Sequence, residues 1–504
     1  MSVGRAALTV GGLTALSRLA GFGRDLLIAS VLGAGPVADA FFISLKLANF
    51  LRRLFAEGAF AAAFVPLYVR IGVARGRAAA ARFAGEALAM LALLLVTAVA
   101  CGVLGMPWMV RLVATGFPPG SLQYQLAVEL GRITFPYLLL ISLAALFASL
   151  LQAGQRFAAA AFTPTLLNLV LVAALLATGA RDQDAARVLA WSVLVAGVVQ
   201  LAWVLLAACR AGLAPAWRSP RLTPEVRRLF RLTGPGLLGA GVVQVNLLVA
   251  SWFATHLPSG TVSYLFYADR LVQLPLGIVG VALGTALLPA LTRAFAERSG
   301  DAELLNRSLE AGLLLAMPAA VGLFLLAEPI VTVLFQRGAF GVSDAVATAQ
   351  VLAGLSLGIP AQVLAKVLAP GFFAREDTRT PVLVAGAAVL VNLVCAAMLA
   401  PALGHVGVAL ALSLSSWVNM LALAMLLGRD SRLRPDAALR RRFVSVLAAV
   451  LLMAVAALAA RSLFGASGLV SLSLIIGLSG CAFAVAAWAA GAVDLSYWRR
   501  AARA

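Results

Sequence analysis

Apolar runs long enough to cross a bilayer follow one another along almost the whole chain, interrupted only by Gly/Pro clusters and short runs of charge. A crossing takes about 20 predominantly apolar residues, and lipid offers no partner to an unpaired backbone group, so each run reads as a membrane-spanning helix. Breaks divide the sequence into spans near 7–34, 37–69, 82–113, 122–153, 158–178 and 186–210, then 232–256, 261–292, 304–336, 344–373, 380–400 and 405–428, and finally 443–463 and 468–491. The expected fold is therefore an all-α polytopic membrane protein of about 14 helices. It is organised as an N-terminal six-helix lobe (1–215), a C-terminal six-helix lobe (216–430) and a final two-helix extension (431–504).

Composition excludes the main alternative. At 62% hydrophobic and 12% charged residues, with a mean hydropathy of +1.00, a water-soluble globule is ruled out. The net charge of +19 comes from 37 arginines and two lysines, Lys46 and Lys366. In a soluble chain that balance would suggest nucleic acid; here the anionic cytoplasmic leaflet is the expected partner, and no nucleic acid is. Arginines cluster in alternate loops, near residues 70–82, 210–231, 293–307, 375–379 and 429–442. Basic loops stay cytoplasmic, so both termini are expected there, in agreement with an even number of spans. The four cysteines stand singly and only His256 and His405 supply imidazoles, so neither a disulfide framework nor a metal site is expected.

Proline positions hint at a repeat: Pro66 and Pro289 lie 223 residues apart, Pro136 and Pro360 lie 224, and Pro164 and Pro381, each after a threonine, lie 217. An offset of six spans preserves the direction of crossing, which relates two blocks in parallel, unless the spacing is chance among 21 prolines.

Ten charges fall within or at the ends of apolar spans: Arg18, Arg24, Asp25, Asp39, Lys46, Arg52, Arg53, Glu57, Asp269 and Arg270. Each costs about 2.5 to 3.5 kcal/mol at a helix centre, so something polar must offset it. Asp39, Lys46 and Arg53 recur every seven residues and Lys46, Asn49, Arg53 and Glu57 continue one polar face, which cannot look at lipid. Gly21-Phe22-Gly23 is expected to break or kink the first helix so that Arg18 and Arg24 both aim inward. Two readings stay open. The charges pair with one another and lock two bundles, or an excess of arginine serves an anionic ligand. Asp25 and Asp269 sit directly beside an arginine in sequence, where neighbours face different ways on a helix, and that favours the anion. Arginine's planar fork suits phosphate and keeps its proton. Gly234-Pro-Gly236-Leu-Leu-Gly239 fits a dinucleotide fingerprint only in spelling, because it lies inside a span. Asp182 and Asp184 read as a solvated turn rather than a metal-binding pair.

One set of motifs is more specific: Ser17-Arg18, Gly23-Arg24-Asp25, Asp39-Ala-Phe-Phe42, Lys46-Leu-Ala-Asn49-Phe-Leu-Arg52-Arg53-Leu-Phe-Ala-Glu57-Gly58, Pro164-Thr-Leu-Leu-Asn168, Tyr267-Ala-Asp269-Arg270 and Leu334-Phe-Gln-Arg337-Gly338. This pattern closely resembles the MurJ (MviN) family of lipid II flippases, nearly full length up to about residue 430. The resemblance implies a MOP-superfamily exporter fold: two six-helix lobes about a central cavity and a final helix pair that shapes a groove for a lipid tail. It implies transport rather than catalysis, of undecaprenyl-pyrophosphate-linked disaccharide-pentapeptide across the bacterial inner membrane for peptidoglycan synthesis. Matched residue by residue, it implies that Arg18, Arg24, Asp39, Arg52 and Arg270 are essential charges, with Ser17, Lys46, Asn49, Arg53, Glu57, Ser263 and Asp269 as further cavity positions. Gln273 stands where a glutamate is expected in relatives, which puts a proton or ion role there in doubt. In the expected mechanism Arg18, Arg24, Arg52 and Arg270 hold the pyrophosphate, with Ser17, Lys46, Asn49 and Arg53 beside them. Asp39 and Glu57, supported by Asp25, Asp269 and Ser263, form gating pairs. No cofactor is expected, a coupling monovalent cation is left unassigned, and a monomer is expected. A related exporter of another undecaprenyl-linked oligosaccharide or of amphipathic drugs is the alternative.

Overall fold

In the computed structural model, which describes residues 3–55, 59–296, 301–429, 436–465 and 468–492, every regular element is an α-helix. In chain order they are α1 (Val3–Leu32), α2 (Pro36–Phe55), α3 (Ala59–Arg75), α4 (Arg77–Leu104), α5 (Met106–Val113), α6 (Leu122–Thr134), α7 (Tyr137–Ala153), α8 (Ala158–Thr178), α9 (Asp182–Arg210), α10 (Pro224–Thr255), α11 (Thr261–Ala296), α12 (Asp301–Leu325), α13 (Ala327–Phe335), α14 (Val342–Ser356), α15 (Ile359–Phe373), α16 (Arg379–Leu403), α17 (His405–Arg429), α18 (Ala437–Phe464) and α19 (Leu469–Ala489). Ten spans among the described residues are long and apolar enough to cross a membrane, with α6–α7 and α14–α15 each forming one. Adding α1, α2–α3, α10 and α11, which hold the intramembrane charges or match them in length, gives the fourteen crossings read from the sequence.

The repeat is legible in the element order. A long helix, a short one, a broken span and two further helices occur twice, and their starts keep one offset: Met106 and Ala327 lie 221 residues apart, Leu122 and Val342 lie 220, Tyr137 and Ile359 lie 222, and Ala158 and Arg379 lie 221. The broken span has one cause in both blocks. Pro136 stands at the α6–α7 junction and Pro360 opens α15, and a residue without an N–H is tolerated best where a helix begins.

The expected break in the first helix is absent. α1 runs unbroken from Val3 to Leu32, through Gly21-Phe22-Gly23. A helical glycine costs about 1 kcal/mol relative to alanine, which packing offsets. A Cβ on Gly21 would lie 3.3 Å from the Asn168 amide nitrogen, so this glycine lets α8 approach α1 closely. Asp182 and Asp184, read as a solvated turn, are exposed and form the first turn of α9, where carboxylates complement the helix dipole.

The chain divides into two compact units. The first comprises Met1–Ser263 with Arg337–Phe340, the second Tyr264–Gln336 with Gly341–Ala504. In the first, α8 packs on α1 and α9, and α2 on α6. A polar strap ties three of its helices: the Tyr137 hydroxyl donates to Gln200 Oε1 at 3.0 Å and Gln200 Nε2 donates to the Thr163 carbonyl at 2.8 Å. At the end of α1 the Ala339 N–H donates to the Ser30 carbonyl at 2.8 Å. Gly33 (φ 63°) and Gly338 (φ 59°) make that contact possible, since a Cβ on either would come within 2.5 Å and 2.1 Å of a backbone oxygen. The second unit is centred on Leu305, Leu309, Leu364, Leu368, Met420 and Leu423, which draw α12, α15 and α17 together, with Leu439 of α18 against them.

Candidate functional site

Within the first unit, the contact of α1 with α8 builds a polar node inside apolar surroundings. Arg24 Nε and Nη2 both donate to Asp25 Oδ1, at 2.9 and 2.6 Å, and Nη1 donates to Asn168 Oδ1 at 2.9 Å. Asn168 Nδ2 in turn donates to the Ser17 carbonyl at 3.0 Å. The side chains of Arg24 and Asp25 are 13% and 2% exposed, so this pair is withdrawn from solvent. The expectation that neighbours in sequence face apart is thereby corrected. Cβ directions diverge, but the long arginine side chain curls around the helix and brings its fork to the adjacent carboxylate. A guanidinium carries five N–H donors; among the described residues three are used here and two remain. Arg18, six residues earlier on the same unbroken helix, is exposed, and Ser17 is half-buried.

Asp39 lies in the first turn of α2 and is buried. Its carboxylate accepts from the Gly260 N–H at 2.6 Å, the Ser263 N–H at 2.9 Å and the Ser263 hydroxyl at 2.6 Å. Those N–H groups belong to the first turn of α11, which has no intrahelical acceptors for them, and the positive end of the helix dipole favours a carboxylate. α2 thus caps α11 from outside its own chain segment. Further along α2, Lys46 Nζ donates to Ser251 Oγ of α10 at 2.7 Å, and Arg52 Nε donates to Asn49 Oδ1 at 2.9 Å. Polar side chains of α2 are thus engaged from Asp39 to Arg52, with Lys46 on the face of Asp39 and Arg52 turned away from it. The side chain of Arg53, and Glu57 altogether, lie outside the described residues.

In the second unit, Arg270 lies with its guanidinium carbon 4.6 Å from the centre of the Phe266 ring, one turn earlier on α11, a cation–π arrangement suited to a place of low polarity. The side-chain amide of Gln273 donates to Asp269 Oδ2, a bond that an ionised glutamate at 273 would be unable to make.

Sequence reasoning missed three contributors: Asn168, Ser251 and Gly260. Asn168 had a signal, a carboxamide in the apolar run after Pro164, whereas a serine and a backbone N–H carry none. Chemically, the nodes on α1 and α2 hold guanidinium and ammonium groups in place inside apolar helices, donors that suit an anionic oxygen.

Residues 28–479 match the family described as Lipid II flippase MurJ. The chain is 46% identical over 431 residues to the probable lipid II flippase MurJ of Rhizobium meliloti, an alignment covering 84% of this chain and 80% of that protein. It is 35% identical over 460 residues to the lipid II flippase MurJ of Burkholderia cenocepacia, covering 90% and 89%. In fold it is similar to a solved lipid II flippase MurJ in an inward closed conformation, with a TM-score of 0.82 at 23% identity over 95% of this chain and 98% of that one. It is also similar to an inward-facing multidrug resistance MATE transporter of the MOP superfamily, with a TM-score of 0.71 at 15% identity over 86% and 99%.

Proposed function

The chain belongs to the Lipid II flippase MurJ family, and from that premise we propose that it carries lipid II from the cytoplasmic to the periplasmic leaflet of the inner membrane by alternating access. Family and fold are those of transporters, not of catalysts. The diphosphate is the part of such a substrate that cannot enter hydrocarbon unaided, and Arg18, Arg24, Arg52 and Arg270 hold it while the prenyl tail stays in the bilayer. Both termini face the cytoplasm and the protein acts as a monomer.

The observation that supports the reading best is Arg24. Asp25 and Asn168 fix its plane within an apolar span, and two N–H donors remain for a phosphate, so the fork is oriented before the ligand arrives. Asp39 acts as a gate because the Gly260 and Ser263 bonds form or break as a set. Moving a unit charge through 100 mV is worth about 2.3 kcal/mol, so the membrane potential resets an arginine-lined site once the anion has left.

Cells depleted of their own flippase and rescued with this chain provide the test. Wild type should restore growth and the outward labelling of lipid II, while Arg24→Ala and Arg270→Ala, inserted at normal levels, should restore neither. Rescue by both variants would remove the arginine-clamp mechanism.

A further inference from the structure

α3 and α10 pack together within the first unit and leave between them a groove of about 340 Å³. Its apolar walls come from Ala62, Pro66 and Leu67 of α3 and Leu232 of α10, and its two charged residues are Arg70 and Arg228. The spacing gives the groove a polarity. Ala62, Pro66 and Arg70 follow one another at intervals of four along α3, and Arg228 and Leu232 do so along α10, so each helix contributes one stripe. α3 runs toward its end at Arg75 and α10 away from its start at Pro224, which puts both arginines at helix ends and the apolar residues deeper. Eight residues of helix separate Ala62 from Arg70, a lane of about 12 Å. The groove is therefore amphiphilic: two cations at its mouth, hydrocarbon along its length.

The local acids are committed elsewhere. Glu225, one turn from Arg228, is held by Arg75 at 2.7 Å, and Glu86 accepts from the Thr223 hydroxyl at 3.0 Å. Arg70 and Arg228 are exposed and, among the described residues, make no ion pair.

We propose that Arg70 and Arg228 form a loading station for a polyprenyl diphosphate, engaging the substrate's headgroup at the cytoplasmic leaflet before it reaches Arg24. The inference rests on the flippase reading and on the cytoplasmic placement of these helix ends proposed above. Charge decides the occupant. A glycerophospholipid phosphodiester carries one negative charge and would leave one guanidinium unmatched, whereas a diphosphate offers each fork its own phosphate. The apolar lane takes the first isoprene units.

The full chain in nanodiscs of phosphatidylcholine, titrated with undecaprenyl diphosphate, tests the proposal, with phosphatidylglycerol as competitor and lipid II uptake across the bilayer of sealed proteoliposomes measured in parallel. Losing one charge-assisted contact should weaken binding about tenfold. Arg70→Ala/Arg228→Ala should raise the lipid II concentration for half-maximal uptake and leave the rate at saturation unchanged, and Arg70→Lys/Arg228→Lys should recover part of the loss. Ala62→Trp, which fills the lane and keeps both guanidiniums, should reproduce the defect. Unchanged binding and uptake in the alanine pair and in Ala62→Trp would overturn the proposal. So would displacement by phosphatidylglycerol as effective as by the diphosphate, which would make the groove a bulk-lipid site. Failure of the flippase reading is distinct, because the wild-type chain would then show no lipid II uptake at all.

Discussion

Two charged clusters withdrawn from solvent, one in each unit, are built on opposite principles. In the second unit Glu310 of α12 takes Arg307 on one oxygen at 2.7 Å and Arg442 of α18 on the other, while Arg307 also stands 3.9 Å from Glu303 and 3.8 Å from Asp436. One carboxylate is shared by two guanidiniums, and two further acids stand within 4 Å of one of them. In the first unit Arg24 has one carboxylate and one carboxamide and keeps two donors in hand. A charge in an apolar span is thus not by itself a mark of function. What separates the two clusters is what each carboxylate joins: Glu310 braces α12 to α18 through two guanidiniums, whereas Asp25 holds one guanidinium of its own helix in a fixed plane.

The largest effect should come from breaking the brace. Glu310→Ala would take from Arg442 and Arg307, whose side chains are only 12% and 18% exposed, the carboxylate they share, and removing one partner of a buried pair costs roughly 3 to 5 kcal/mol. The melting temperature of the purified protein should fall steeply while transport per folded molecule persists. Glu310→Leu with Arg442→Met should recover part of the stability, because apolar replacement removes the desolvation cost as well. An unchanged melting temperature together with lost transport would reverse the assignment and make the cluster a site.

Asp39 tests the middle ground, because like Glu310 it joins two helices, yet it does so through backbone N–H groups. Asp39→Asn turns an amide nitrogen toward at least one of the donors it must accept from, and a hydrogen bond to a charged group is worth about 1.5 to 3 kcal/mol. Ser263→Ala removes one hydroxyl and should cost about 1 kcal/mol. Hydrogen exchange at residues 260–263 should accelerate in both, more in the asparagine variant. If Asp39 only braces α11, transport will follow the exchange; as a gate, transport should fall further than the exchange accounts for.

The contrast also marks how far the sequence could be read. Span length and Gly/Pro breaks revealed the helices, since the bilayer enforces both, and the proline offset of about 220 residues reappears in the starts of α5, α6, α7 and α8 against α13, α14, α15 and α16. The charges of α1 and α2 stood out because each is costly in hydrocarbon. What spacing could not supply was the partner. Helical geometry sets where Cβ points, but Arg24 reaches Asp25 through its flexible stem, and Asp39 finds Gly260 and Ser263 more than 220 residues away. The brace escaped notice for a related reason: Glu310 and Arg442 lie on separate helices and only packing brings them together.

The smallest effect belongs to an ion pair at the surface. Arg75 and Glu225 meet at 2.7 Å with side chains 67% and 29% exposed, so after discounting for solvent screening the pair is worth about 0 to 1 kcal/mol and less at high salt. The Glu225 carboxyl is held below the usual carboxylate range, first by its own backbone N–H and then by Arg75. A depressed value means the contribution is present above the ordinary carboxylate range and is lost as pH falls through the folded value. Arg75→Ala removes only the second cause, so this limb of the acid profile should shrink rather than vanish, and the melting temperature at neutral pH should barely move. A more telling readout lies nearby. Glu225 stands three residues before Arg228 on α10, the spacing at which helix side chains meet, so a carboxylate released from Arg75 is free to turn toward that guanidinium. If Arg228 holds a diphosphate, Arg75→Ala should weaken undecaprenyl diphosphate binding by a small, salt-sensitive factor while stability stays put. Equal binding in the variant and wild type at low salt would show that the acid does not compete there.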